Sequence, residues 1–126
     1  MNTPVRFEIA KLLKEKGFDL PCNNYTSQRD GDYFSNEKQV ISYKNYNEIT
    51  STYSRPTIAE VIMWLYEKHG IWVSIILNEF SEPKDLQWMY SIIFTEDCTY
   101  SHSPEAYSLP TEAYSQAIEY TLKNFI

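Results

Sequence analysis

The chain is short of glycine and histidine, and both shortages argue against catalysis. Its three glycines, Gly17, Gly31 and Gly70, stand far apart, so no glycine-rich loop is present to hold a phosphate. Neither of its two histidines, His69 and His102, belongs to a serine-hydrolase elbow or another nucleophile motif. We therefore expect a protein that is not an enzyme.

Cysteine is also scarce, and its placement does not suggest a metal site. Cys22 and Cys98 have no C-x-x-C spacing, and Cys98 with His102 makes only half of a zinc-binding pattern. Two distant thiols are typical of a reducing compartment, although the sequence leaves a bridge between them open. We expect free thiols, no metal and no cofactor.

Long apolar runs and an excess of basic charge are missing too. No stretch approaches the roughly 18 to 20 apolar residues that a membrane helix needs, and the opening MNTPVRFEIAKLLKEKGF is unlike a signal peptide. The net charge of −6 disfavours binding to nucleic acid. We expect a cytoplasmic protein without a membrane or nucleic-acid partner.

Tyrosine, in contrast, is abundant. Eleven tyrosines stand beside three tryptophans and six phenylalanines. Tyrosine suits a recognition surface because it is stiff and amphipathic, but it also fills half-buried strand positions. Acidic residues dominate the last third of the chain and predict a solvated acidic face: Glu96, Asp97, Glu105, Glu112 and Glu119, against Lys123 alone.

Hydrophobic periodicity predicts a single α+β domain over residues 1–126. Helices are expected over about 3–16, 57–69 and 110–125, with Thr3 as the first N-cap, Pro4 at the first helical position, and Gly17 and Gly70 as left-handed ends. Strands near 71–80 and 85–95 form an antiparallel hairpin within a small sheet, and residues 95–109 read as a polar loop. Because both hairpin faces are apolar, we expect the sheet to be covered by helices on both sides or by a partner subunit. We expect a homo-oligomer, in which a second copy is that partner.

Residues 22–52 form a polar segment rich in tyrosine. Asp30-Gly31-Asp32 is a turn signal, which favours an extra hairpin within 24–44. The alternative is an irregular loop that carries function, and both alternatives place the segment on the surface.

The pattern Tyr-Ser-x-Pro-Thr-x-Ala occurs twice, at 53–59 and 107–113. Proline and hydroxyl side chains are typical of a helix start, and in the first copy Thr57 and Glu60 match a capping box. The second copy has Tyr114 in place of the glutamate, so Ser108 or Thr111 is expected to cap.

A helix start also attracts anions, which suggests a function for the first copy. That copy has Arg55 where the second has Leu109. The predicted ligand-binding residues are those of the first copy together with residues of the tyrosine-rich segment: Tyr53, Ser54, Arg55, Thr57, Arg29, Tyr33 and Tyr43, with Tyr25 and Tyr46 as further candidates.

Three stretches carry a resemblance to a known group of proteins. FEIAKLLKEKGFDLPC, PTIAEVIMWLYEKHGIWV and PTEAYSQAIEYTLKNFI, around half of the chain, resemble small uncharacterised proteins of phages and prophages of Bacteroidetes. The last stretch is also similar to phage α/β/α sandwich domains. The resemblance implies a phage accessory protein in the host cytoplasm, a class that includes inhibitors of host defence.

These observations lead to two hypotheses. The first is a non-catalytic protein that sequesters a small anionic ligand, such as a nucleotide immune signal of the host. The alternative is an inhibitor or assembly factor that binds a host or phage protein through its tyrosine-rich surface.

Overall fold

Three α-helices, one short 3-10 helix (Tyr46–Glu48) and two three-stranded antiparallel sheets form the described part of the protein. The computed structural model describes residues 3–27, 33–35, 43–49 and 52–126, and for residues 27 and 33–35 it describes the backbone alone. The helices are α1 (Phe7–Glu15), α2 (Ile58–His69) and α3 (Pro110–Asn124). The strands are β1 (Asn24–Ser27), β2 (Tyr33–Ser35), β3 (Thr52–Ser54), β4 (Ile71–Leu77), β5 (Trp88–Phe94) and β6 (Thr99–His102). The predicted α+β class is confirmed.

Helix α2 begins and ends where the sequence predicts. Thr57 Oγ1 accepts a hydrogen bond from the Glu60 N–H at 3.2 Å, and Glu60 Oε1 accepts one from the Thr57 N–H at 2.9 Å. These two bonds complete the capping box. Gly70 ends the helix with φ of 64°, and a Cβ there would lie 3.0 Å from Thr95 Oγ1. Both facts favour glycine at this position.

Helix α1 is confirmed, but it starts later than predicted. Its N-cap is Arg6, which makes no side-chain cap, so Thr3 does not cap the helix and Pro4 does not open it. The residues before the helix instead run beside the start of α2. The Ile58 N–H donates to the Thr3 carbonyl at 3.0 Å, and the Val5 N–H donates to the Pro56 carbonyl at 2.9 Å.

The first sheet has the order β2-β1-β3. The hairpin predicted within 24–44 is confirmed by β1 and β2, with Tyr25 opposite Phe34, while residues 36–42 lie outside the described residues. Strand β3 is absent from the sequence prediction. It pairs with the other edge of β1, with Tyr53 opposite Thr26, and its short polar sequence has no apolar alternation that could reveal it.

The second sheet has the order β4-β5-β6. The predicted hairpin is confirmed, with Val73 opposite Ile92, although its strands end at Leu77 and begin at Trp88. Residues 95–109 are not only a loop, because they contain β6. A tight turn produces this strand: Asp97 Oδ1 accepts bonds from the Thr99 N–H at 3.0 Å and from its hydroxyl at 2.7 Å.

Helix α3 starts at Pro110 without a side-chain cap. Its N-cap is Leu109, and no hydroxyl bonds to the free N–H groups, so neither Ser108 nor Thr111 serves as the expected cap. Proline at the first helical position lacks one of the donors that a cap would satisfy.

Helices α2 and α3 cover one face of the second sheet. The core between them consists of buried strand and helix side chains, among them Ile71, Val73, Tyr90 and Ile92 from the strands and Trp64, Leu65, Ile118 and Leu122 from the helices. Helix α1 packs beside α3 and touches β3, which links the two sheets.

Candidate functional site

Arg55 follows β3, and its side chain ties separate segments of the protein together. Its Nε donates to the Val5 carbonyl at 2.6 Å, and its Nη1 donates to Thr26 Oγ1 at 2.8 Å. Its backbone N–H donates to the Asn24 carbonyl at 2.8 Å. Arg55 therefore joins the N-terminal segment, β1 and β3.

The neighbouring Ser54 is fully buried at 0% exposure. Its hydroxyl satisfies the geometry of a hydrogen bond with none of the described residues, but it lies close enough to the Cys22 thiol to interact with it. Burial raises the pKa of the Cys22 thiol, and the Ser54 hydroxyl opposes that effect. The Cys22 thiol donates to the Asn24 carbonyl at 3.2 Å. Cys22 and Cys98 are both free thiols, the first buried and the second exposed.

The start of α2 is occupied by protein groups. The N–H of Thr57 is bonded to Glu60 Oε1, the N–H of Ile58 to the Thr3 carbonyl, and the N–H of Glu60 to Thr57 Oγ1. An anion at this helix start would have to compete with these bonds, one of which comes from a carboxylate.

The predicted tyrosines lie in different surroundings. Tyr53 packs edge-on against Phe7, with ring centroids 5.4 Å apart, and the Lys14 ammonium lies 4.9 Å from the Tyr53 ring centroid. Tyr25 stacks on Tyr46 at 4.5 Å. Tyr43 is exposed and lines a mostly apolar cavity of about 320 Å³ together with Leu20, Pro21, Ala59, Glu60 and Met63. Arg29 and the side chain of Tyr33 lie outside the described residues.

The structure therefore brings Tyr53, Ser54, Arg55 and Thr57 together, but their side chains are engaged by other residues of the protein. Ser54 is buried, the guanidinium of Arg55 bonds to Val5 and Thr26, and the hydroxyl of Thr57 caps α2. Anion binding by this group stays a prediction, since a ligand would have to open these contacts.

A larger cavity, of about 450 Å³, lies between α3 and the end of the second sheet. We call it the tyrosine cleft. Its lining consists of Tyr90, Pro104, Glu105 and Tyr107 on the sheet side and Gln116, Glu119, Tyr120, Lys123 and Asn124 on α3. The volume is that of a cleft for a small organic molecule.

The sheet side of the tyrosine cleft is held by backbone bonds to β5. The Ser103 N–H donates to the Tyr90 carbonyl at 3.0 Å, and the Tyr90 N–H donates to Ser103 Oγ at 3.1 Å. Trp88 and Tyr107 exchange two N–H to carbonyl bonds of 2.7 Å. The segment that carries Glu105 is thus fixed to β5 at both ends.

The α3 side of the cleft follows from helical spacing. Gln116, Glu119, Tyr120 and Lys123 recur at intervals of three and four residues, which places them on one helix face. Glu119 Oε1 lies 2.9 Å from Lys123 Nζ, and its Oε2 lies 3.9 Å from Arg6 Nη2. This face therefore presents a tyrosine, an amide and a carboxylate that is paired with the Lys123 ammonium.

Two tyrosines of the cleft, Tyr90 and Tyr107, have raised pKa values and stay protonated at neutral pH. Tyr90 and Tyr107 lie near-parallel, with ring centroids 6.4 Å apart and planes at 17°. Burial raises the pKa of both phenols, and the negative charge of Glu105 adds to that effect. The charge of Glu112 also contributes at Tyr107. The charge of Glu105 therefore acts on both rings.

The second sheet also has a largely apolar face opposite the one that α2 and α3 cover, and Tyr66 of α2 contacts only its edge, with the Tyr66 and Trp72 ring centroids 5.6 Å apart. Side chains on this outer sheet face alternate with the core-facing ones along β4, β5 and β6. Its apolar side chains are Trp72, Ile76, Met89, Ile93 and Tyr100, of which Trp72, Ile76 and Tyr100 are exposed, and Ser74, Ser91 and His102 lie on the same face. No Asp, Glu, Lys or Arg side chain projects from these strands on that face.

Most residues of the tyrosine cleft were missed by the sequence analysis. Tyr90, Tyr107 and Tyr120 come from a strand, a loop and a helix, so no local pattern joins them. The spacing of Gln116, Tyr120 and Lys123 was the available signal, because it marks one face of α3. The sequence analysis interprets Glu105 and Glu119 as part of a solvated acidic face, and it therefore does not predict the cleft.

Comparisons with known proteins find no matching protein family, no matching curated protein and no matching solved structure. Within the described ranges, no helix is long and apolar enough to cross a membrane. Nor does that part of the chain contain a group of three or more His, Cys, Asp or Glu side chains placed to hold a metal ion.

Proposed function

We propose that the protein is a non-catalytic binding protein that holds a small organic ligand in the tyrosine cleft. The observation that carries this proposal is the cleft itself: a cavity of about 450 Å³ in which tyrosine rings converge with amide and carboxylate groups. Aromatic walls and a few polar groups are typical of ligand sites. The lining contains no His, Cys or Ser side chain, which favours binding over nucleophilic catalysis.

The resemblance to phage proteins supports a sequestering role for this binding. In that role the protein would capture a small molecule of the host and keep it from its receptor. The nucleotide predicted from Arg55 remains one of the candidate ligands, although the Glu105 carboxylate in the lining disfavours an anion inside the cleft itself.

A melting-temperature screen tests the proposal with a panel of nucleotides, polyols, amines and amino acids. A ligand that binds only the folded protein adds about 2.7 kcal/mol of stability at 100 times its Kd, a readily measured shift. Tyr120→Ala should remove the shift, because Tyr120 lines the cleft. The variant should remain folded, since the Tyr120 side chain is 42% exposed. Tyr66→Ala is the matched control, since Tyr66 is 47% exposed and lies on α2, outside the cleft.

Two results would count against a ligand in the cleft. One is a complete panel that leaves the melting temperature unchanged. The other is a ligand whose shift survives Tyr120→Ala. If that shift disappears in Arg55→Glu while this variant remains folded, the anion site predicted at the first Tyr-Ser-x-Pro-Thr copy is supported instead.

The outer sheet face favours a second function, self-association into a homodimer. Each copy has a net charge of −6, so two copies repel each other. The strands of the outer sheet face contain no Asp, Glu, Lys or Arg, so two such faces can meet without bringing like charges of these strands together. Its row of Trp72, Ile93 and Tyr100 is apolar, as the contact surfaces of homodimers are. Stacked sheets pack about 10 Å apart, which such side chains can fill.

Light scattering at increasing protein concentration tests the homodimer. We expect a dimer, and Ile76→Lys should give a monomer because it places a charge within the contact while Ile76 itself is 43% exposed. Leu109→Lys should leave the dimer intact, since Leu109 is 58% exposed and precedes α3, outside the outer sheet face. A wild-type protein that stays monomeric throughout would refute this function.

A further inference from the structure

The two carboxylates of the tyrosine cleft differ in their surroundings. Glu119 on α3 has two cationic neighbours, with Lys123 Nζ at 2.9 Å and Arg6 Nη2 at 3.9 Å. Glu105 on the sheet side makes no ion pair with the described residues. The cleft therefore contains one carboxylate whose charge is balanced and one whose charge is not.

The unbalanced carboxylate lies in a cleft that is rich in neutral tyrosines. The pKa values of Tyr90 and Tyr107 are raised by burial and by nearby negative charge, so both rings remain phenols at neutral pH. The faces of such rings attract cations, most strongly within about 6 Å of the ring centroid. The Glu105 carboxylate and the tyrosine rings therefore both favour a cationic ligand.

We infer that the tyrosine cleft binds a small organic cation, whose ammonium group lies between the Glu105 carboxylate and the accessible rings of Tyr107 and Tyr120. Tyr90 is only 3% exposed and offers no ring face to the ligand. The inference rests on the proposed function and narrows its ligand to one charge class. A cation gains from the carboxylate and from the rings together. A neutral molecule of the same shape gains only from ring contact, and an anion is repelled by Glu105.

Calorimetric titration with three matched probes tests the charge class. The probes are choline, its neutral isostere with a tert-butyl group in place of the trimethylammonium group, and the corresponding tert-butyl carboxylate. We expect choline to bind about tenfold more tightly than the neutral isostere. The carboxylate should show no measurable binding, and added salt should weaken the binding of choline.

Substitution of the carboxylate identifies its part in the selectivity. Glu105→Gln should reduce the preference for choline over the isostere to less than about threefold, because choline loses the attraction of the carboxylate. Glu96→Gln is the matched control, because Glu96 is also exposed but does not line the cleft, and it should keep the full preference.

The outcomes separate this inference from the proposed function. If the neutral isostere or the carboxylate binds as tightly as choline, or if Glu105→Gln keeps the full preference, the cation inference is overturned. A ligand of another class whose binding is lost in Tyr120→Ala would likewise overturn it while supporting the proposed function. If no probe binds and the wider melting screen finds no ligand, both fail.

Discussion

Replacing Arg55 with methionine should destabilise the protein in the absence of any ligand. Methionine keeps most of the length of the side chain but removes the donors that bond to the Val5 carbonyl at 2.6 Å and to Thr26 Oγ1 at 2.8 Å. Bonds from a charged donor contribute about 1.5 to 3 kcal/mol each. Because the site is only partly buried, we expect the free energy of unfolding to fall by about 2 to 4 kcal/mol.

Urea unfolding followed by tryptophan fluorescence measures this loss, since Trp64 is buried in the core at 2% exposure. With a slope of about 2 kcal/mol per M, the expected loss lowers the midpoint by about 1 to 2 M. Arg6→Met is the matched control. Arg6 makes an exposed ion pair with Glu119 at 3.9 Å, so its removal should cost less than about 0.5 kcal/mol.

A double-mutant cycle with Thr26→Val separates the Thr26 contact from the rest of the Arg55 effect. Thr26 is fully buried, so each single variant leaves a polar partner without its bond. We expect the double variant to lose at least about 0.5 kcal/mol less than the sum of the two single losses. An Arg55→Met protein with the wild-type midpoint would refute the structural role of Arg55. If that variant had also lost a melting-temperature shift caused by a nucleotide, the predicted anion site would explain the role of Arg55 better than the structural contacts do.

Three further outcomes are expected. Thr57→Ala should lower the free energy of unfolding by about 1 to 2 kcal/mol in urea titrations, whereas Thr57→Ser, which keeps a capping hydroxyl, should lose clearly less. The pKa values of Tyr90 and Tyr107 are raised on folding, so their contribution to stability is complete below the unfolded value of about 10 and is lost as pH rises through the folded values. Urea midpoints should therefore fall as the pH rises above about 10, and Tyr107→Phe should lessen that fall; a flat profile would contradict the raised pKa values. A thiol reagent should label one cysteine of the native protein rapidly, and Cys98→Ser should abolish this reaction, because Cys22 is buried and has a raised pKa.

The elements that could be predicted from the sequence are those whose signals are local. Helix α2 carries its own capping box at Thr57 and Glu60 and its own left-handed end at Gly70. The hairpin of β4 and β5 is recognisable from consecutive apolar residues. In these segments the stabilising interactions lie within a few residues along the chain, so pattern and propensity suffice.

The elements that were missed depend on partners distant in sequence. Strand β3 exists because Thr52–Ser54 pair with β1, more than twenty residues earlier in the chain. The later start of α1 has the same origin, since the backbone of Thr3 and Val5 bonds to the start of α2. A polar strand and an extended N-terminus gain their stability from such pairings, which local propensity does not contain.

The two copies of Tyr-Ser-x-Pro-Thr show how tertiary contacts decide the use of a shared motif. In the first copy, Tyr53 packs against Phe7 and the arginine bonds to the N-terminal segment and β1, so its distinctive residues serve the fold. In the second copy, Tyr107 is anchored to Trp88 and lines the tyrosine cleft beside Tyr90. The copy without the arginine therefore provides a wall of the candidate site. Because Glu105 is the lining carboxylate that makes no ion pair with the described residues, and this copy has no arginine, the cation that we propose finds its counter-charge there.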